Sequence, residues 1–209
     1  MIIFEYLVLI LLSYLLGSLP TGLILSRVLG KGDLRQFGSG KTGATNVLRT
    51  VGKGAAIVVV FFDFGKGAIP ALVGLYFLND DILGLVGASS ATIGHVFPIF
   101  AGFRGGRGVA TVMGGLLVLL PWLGVLILGI GAFLLVVFKI ASVMSLGAGF
   151  CGIIISIILS ILGHVEVSTT VYVVLGTMFI FVTHISNLKR LYRGEEPKIG
   201  LGGDRKVSN

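Results

Sequence analysis

A chain that crosses the hydrocarbon core of a bilayer as a helix needs about 20 consecutive, mostly apolar residues, because its backbone finds no water there. Six stretches of this kind divide the sequence, at roughly 2 to 26, 55 to 78, 82 to 103, 108 to 138, 140 to 163 and 167 to 188. The reading is an all-α integral membrane protein. Composition agrees, with 55% hydrophobic and only 12% charged residues and a mean hydropathy of +1.05, far above that of a water-soluble domain. The first stretch is too long, and too weakly basic at its start, to be a cleaved signal peptide, so it counts as a span. Helices that share a bilayer pack against one another rather than each enclosing a core. A single membrane-embedded domain over 1–209 is therefore expected.

The stretch 108–138 is too long for one crossing and short for two. Pro121 and Trp122 divide it where a helix would break and an interfacial aromatic would sit. Charge decides between the two readings. If the stretch crosses twice, all 16 Lys and Arg but Lys66 fall on one side of the membrane, while the opposite loops carry Glu5, Asp80, Asp81 and Glu166 without a cation. The positive-inside rule selects that arrangement: seven transmembrane helices, some short, with the N-terminus outside and the C-terminus in the cytoplasm. The polar tail 201–209 is expected to be disordered.

Several polar or small residues have ordinary structural readings. Ala141, Ser145 and Gly149, and likewise Ala148, Gly152, Ser156 and Ser160, recur at four-residue spacing, as close helix packing requires. Asp63 and Lys66 stand at i, i+3 and read as a neutralising ion pair inside the bundle. His95 is expected to bond a neighbouring carbonyl and His164 to be solvated. Cys151 lies in an apolar run and reads as an inert core thiol. No spacing of His, Cys or carboxylates resembles a metal site, and no metal or cofactor is expected.

Three segments on the basic side are richer in glycine and charge than loops need to be: 33–49, 94–111 and 183–198. Within the first, G-S-G-K-T-G-A-T-N at 38–46 lacks the earlier glycine of a nucleotide P-loop, since Arg35 occupies that place. Glycine nevertheless lets successive N–H groups converge on an anion. Gly38, Ser39 and Gly40 in the first segment, and Gly105 and Gly106 in the second, are read as such nests. Arg49, Arg104 and Arg107 are candidate phosphate clamps, because a guanidinium matches two phosphate oxygens at once. His184 and Asn187, three residues apart, share a helix face and point at the same place if that face turns inward. Lys189 and Arg190 suit lipid headgroups, with a site role for Arg190 as the alternative.

With these segments identified, the sequence resembles the PlsY family, bacterial membrane acyltransferases that move a fatty acyl group from acyl-phosphate to glycerol 3-phosphate. The likeness rests on G-S-L-P-T-G at 17–22, T-G-A-T-N-V-L-R at 42–49, D-F-G-K-G at 63–67, G-H-x-F-P-x-F followed by G-G-x-G-V-A-T in 94–111, and H-x-x-N-x-x-R-L with G-x-E at the end. It covers nearly the whole chain and implies seven helices. It also implies functional roles for Ser39, Asn46, Arg49, the glycines and Arg107 of the second segment, His184, Asn187 and Glu196. The chain departs from the family pattern at Lys41, where asparagine is usual, and at Arg104 and Arg107, where lysine is usual.

The implied reaction transfers an acyl group to the 1-hydroxyl of glycerol 3-phosphate, giving lysophosphatidic acid and phosphate, the first step of bacterial phospholipid synthesis. Partners would be the two substrates and membrane lipids, with no nucleic acid. The place would be the bacterial inner (cell) membrane, multi-pass, with the site facing the cytoplasm. Ser39, His184 and Asn187 are the catalytic candidates; either His184 or a substrate phosphate oxygen takes the proton, and the scarcity of carboxylates favours the phosphate. Two other classes compete, a transporter of a phosphorylated metabolite, with Asp63 and Lys66 lining a path, and a subunit inactive by itself.

Overall fold

In a computed structural model, residues 2–199 are described, and every regular element among them is helical. The tail 201–209 lies outside the described residues. The first apolar stretch is α1 (Ile2–Gly17) followed by α2 (Thr21–Val28). The interruption falls at Pro20, the N-cap of α2, because proline within a continuous helix removes a hydrogen bond and clashes with the preceding turn. A short helix α3 (Ala44–Thr50) leads into α4 (Lys53–Leu72), whose Pro70 is followed by a π-helical turn over Val73–Phe77. Helix α5 (Asp81–Val96) stops short of the expected 103, since Pro98 and a left-handed Gly102 turn the chain.

The stretch 108–138 divides at Pro121, as expected, into α6 (Val109–Leu119) and α7 (Pro121–Phe138). At 1.5 Å per residue α6 is about 16 Å long, roughly half the hydrocarbon thickness. Then come α8 (Ala141–Ile161), α9 (Val167–Thr183) and α10 (Ile185–Tyr192). Five runs have the length and apolarity of a membrane span, and α9 with α10 makes a sixth only as a pair bent by 63°. The apolar stretch 167–188 is thus broken by a bend at His184. Beyond the bend α10 carries Lys189 and Arg190 beside exposed Ile185 and Leu188, the amphipathic pattern of a helix lying along the membrane surface.

Packing follows the small residues. Helices α4 and α6 meet backbone to backbone: a Cβ on Gly67 would strike the Thr111 carbonyl, and one on Gly114 would strike the Phe64 carbonyl. Such contact is the principal source of helix association where lipid is as apolar as leucine. Helix α5 packs on α1 and α4, while α8 lies between α7 and α9. The main core gathers Ala88, Leu116, Leu123, Ile127 and Tyr172; a second cluster, with Leu34, Val47 and Val59, seats the first polar segment on α4.

Candidate active site

The first polar segment is wound around one side chain. Asn46 is buried on α3, and its Nδ2 donates to the carbonyls of Leu34, Phe37 and Lys41 at 3.1, 3.0 and 2.9 Å, while its Oδ1 accepts the Ser39 N–H at 3.0 Å. Gly38 has a φ of 58°, and a Cβ there would collide with Asn46 Oδ1. Asp33 accepts the Arg35 backbone N–H at 3.0 Å and its guanidinium at 2.7 Å; Arg35 in turn donates to the Ala101 carbonyl at 3.0 Å, joining the first segment to the second. Those hydrogen bonds hold the Asp33 carboxyl well below the usual carboxylate range, against the opposing effect of its partial burial.

The expected glycine nests do not form. The Ser39 amide is spent on Asn46, and the Gly40 amide donates to the Phe37 carbonyl at 3.0 Å. In the second segment the amides of Gly105 and Gly106 donate to the carbonyls of Val96 and His95, both at 3.1 Å. These glycines instead permit close approach: a Cβ on Gly106 would occupy the edge of the His95 ring. That ring is buried with Nδ1 3.6 Å from Asp63 Oδ1, so His95 is a neighbour of the intramembrane ion pair rather than a partner of a local carbonyl. The pair itself forms as expected, with Lys66 Nζ donating to Asp63 Oδ1 at 2.6 Å and to Thr21 Oγ1 at 2.6 Å.

The third segment closes the site from below. Asn187 Nδ2 and Ser142 Oγ donate to Glu196 Oε1 at 2.6 and 2.9 Å, and Arg190 Nε donates to Oε2 at 2.7 Å. Arg190 thus belongs to the site's surroundings. Burial would raise the Glu196 pKa, but these three donors and the Arg190 charge lower it on balance. Residues 193–199 form a strap after α10: Arg49 Nη2 donates to the Pro197 carbonyl at 3.1 Å, and the Ile199 N–H to the Lys139 carbonyl at 2.7 Å. At the bend, the His184 ring lies with Nδ1 2.8 Å from the Ile180 carbonyl. A carbonyl only accepts, so Nδ1 carries the proton and Nε2 is the acceptor of the neutral ring.

These groups share one cavity of about 470 Å³. Its polar end holds Ser39, Lys41, Arg49, Arg107, His184 and Asn187. Burial lowers the Arg107 guanidinium to about 10, with the charge of Arg190 acting in the same sense; burial lowers Arg49 and Lys41 too. A cluster of cations that resist each other's charge in a half-dry cleft favours an anion. Arg49 Nε, Arg107 Nε and Asn187 Oδ1 are buried and have no hydrogen-bond partner among the described residues, leaving two donors and an acceptor for a ligand. From this end the cavity continues as an apolar channel between α4, α6, α7, α8 and α9.

Of the residues expected from the sequence, Ser39, Asn46, Arg49, Arg107, His184 and Asn187 come together. Asn46 does so as the brace of its loop, its amide fully engaged. Arg104 is exposed and, like Gly38, Gly40, Gly105 and Gly106, is not part of the cavity lining. Sequence reasoning missed Ser142, which a lone serine near a helix start does not signal, and His95. It gave the small-residue stripe of α8 to packing alone, yet Ser145, Ala148, Gly149 and Gly152 form a wall of the channel.

The fold and cavity define an integral membrane protein in which a single cavity joins a cationic polar end to an apolar channel. Its relatives make the class specific. The chain belongs to the glycerol-3-phosphate acyltransferase family, whose model matches residues 7–194. Curated glycerol-3-phosphate acyltransferases align over most of it: 42% identity with that of Jannaschia sp. (91% of each chain), 43% with that of Thiobacillus denitrificans (93% of this chain, 98% of the relative), and 44% with that of Thermus thermophilus (91% and 94%). Two crystal structures of PlsY, an integral membrane glycerol 3-phosphate acyltransferase, are similar at 31% identity. The glycerol 3-phosphate form has a TM-score of 0.85, covering 93% of this chain and 96% of that one; the lysophosphatidic acid form has 0.80, covering 93% and 95%.

Proposed function

We propose that this chain is a single-domain membrane enzyme transferring a fatty acyl group from acyl-phosphate to the 1-hydroxyl of glycerol 3-phosphate. The products are lysophosphatidic acid and inorganic phosphate. The observation that carries the reading is the continuity of a cationic pocket with an apolar channel in one cavity. The relatives named for glycerol 3-phosphate support the acceptor. For the donor, the support is chemical: a mixed anhydride already has a good leaving group, and among the described residues the Ser39 hydroxyl has no hydrogen-bonded base to activate it as a nucleophile.

In this reading Arg49 and Arg107 neutralise the phosphates, and Asn187 Oδ1 accepts from a glycerol hydroxyl. Ser39 donates to phosphate or carbonyl, and His184 Nε2 orients the attacking hydroxyl. The hydroxyl oxygen bonds the acyl carbon, the bond from that carbon to the phosphate oxygen breaks, and the proton passes to the departing phosphate. Positioning and charge neutralisation supply most of the rate. We place the site at the cytoplasmic face of a bacterial cell membrane, in a seven-crossing chain with its N-terminus outside; the one-sided distribution of Lys and Arg supports this. Beyond the apolar end Leu123 and Tyr172 are packed into the main core, which does not favour a path across the membrane for a transporter.

The test uses the purified chain in detergent with glycerol 3-phosphate and, separately, acyl-phosphate, acyl-coenzyme A and acyl carrier protein thioester. Lysophosphatidic acid and phosphate formed from acyl-phosphate alone is the expected result. Product from a thioester instead overturns the donor assignment, and no product from any donor overturns the enzyme reading.

A further inference from the structure

The channel ends at a common depth on four helices. Its deepest lining residues are Phe64 on α4, Ile127 on α7, Gly152 on α8 and Val173 on α9. Each lies ten or eleven positions from the end of its helix nearest the polar pocket, namely Lys53, Phe138, Ala141 and Thr183. At 1.5 Å per residue that is about 16 Å. The next turn is sealed. Leu123 on α7 and Ser156 on α8, each four residues beyond the last lining residue of its helix, are fully buried.

At the floor, Gly152 of α8 packs directly against Ile127 of α7. A Cβ on Gly152 would stand 2.9 Å from Ile127 Cδ1 and 3.7 Å from Val173 Cγ1. Ile127 therefore already fills the space that a side chain on Gly152 would need, so a larger residue at 152 would push it into the channel, and Ile127 supplies the surface a chain end meets.

We propose that Gly152 and Ile127 are the residues that set acyl-chain length, acting as the stop of the channel; this rests on the acyltransferase reading above. Extended single-bonded chains advance about 1.2 Å per bond, so about 16 Å takes up roughly 13 bonds. Donors much longer than that reach the pair and must bend there. Shorter ones do not touch it.

The experiment is a chain-length profile. The full-length protein in detergent is given glycerol 3-phosphate at a fixed level and saturated acyl-phosphates of about 8 to 18 carbons, and kcat/KM is measured for each. Gly152→Leu is expected to lower kcat/KM for the longest donors at least about tenfold relative to the shortest, the range by which a pocket discriminates a few methylenes. Ile127→Ala is expected to move the optimum to longer chains. Should Gly152→Leu be inactive with every donor, the Ile127→Ala profile decides alone. Active variants with the wild-type profile overturn the stop and leave the enzyme reading intact, whereas a wild type that uses no acyl-phosphate removes the reading on which the stop rests.

Discussion

Asn187 Nδ2 donates to Glu196 Oε1 at 2.6 Å, and the same oxygen accepts Ser142 Oγ at 2.9 Å. One carboxylate thereby joins α8, α10 and the strap, and it sets which way the Asn187 amide faces. Replacing Glu196 with Ala leaves two buried donors unpaired and frees Asn187 to rotate. A loss of about 2 kcal/mol, or roughly 30-fold in kcat/KM for glycerol 3-phosphate, is expected from the strength of hydrogen bonds to charged groups. Steady-state kinetics at saturating donor measures it; unchanged kinetics would show that the strap does not position Asn187.

Acid should loosen the same joint. Glu196 and Asp33 have folded-state pKa values below their usual ones, the first on balance against its burial and the second through Arg35. Both therefore bind fewer protons folded than unfolded, so their stabilisation is complete above the ordinary carboxylate range near pH 4.5 and is lost as pH falls below it. Thermal unfolding in detergent should give a flat Tm from neutral pH to about 5 and a decline below. In Glu196→Gln the decline should be shallower.

Arg107 and Arg104, three residues apart, should behave differently. Arg107 lines the cavity with an unpaired Nε, and Arg104 is exposed outside it. Arg107→Ala is expected to cost about 1.5 to 3 kcal/mol of substrate binding, seen as a rise in KM of roughly 10- to 160-fold, with Lys restoring part of it. Arg104→Ala should be close to wild type. Equal effects from the two would contradict the assignment of the clamp.

The intramembrane ion pair, whose Asp63 also lines the cavity, is expected to stabilise the bundle. Lys66 and Asp63 are both buried and 2.6 Å apart. Lys66→Met strands a carboxylate in the bundle, for which about 3 to 5 kcal/mol of destabilisation is expected, whereas Lys66→Met with Asp63→Asn should recover most of it. Thermal unfolding of the two variants provides the comparison. A single variant as stable as the double one would argue that Asp63 is neutral in the fold.

Much of the site was legible because it was local. Arg49, Arg107, His184 and Asn187 lie in segments whose polarity is at odds with the apolar stretches around them, and Pro121 announces a break wherever the helix runs. The nests were misread for a reason that sequence does not contain. A glycine amide is available to a ligand only if no carbonyl takes it, and the carbonyls that take Gly105 and Gly106 belong to the end of α5. His95 and Asp63 come from different helices, so their proximity was equally invisible.

The sequence by itself determined the solvent of this protein and the chemistry it favours: apolar stretches of membrane length, cations on one side, and three polar segments suited to phosphate. Tertiary structure alone decided which arginine enters the cavity, that Asn46 braces its loop, and that the small residues of α8 line a channel. The reason is physical. Solubility in hydrocarbon is a sum over residue types, whereas the direction an atom faces depends on contacts among helices far apart in the chain.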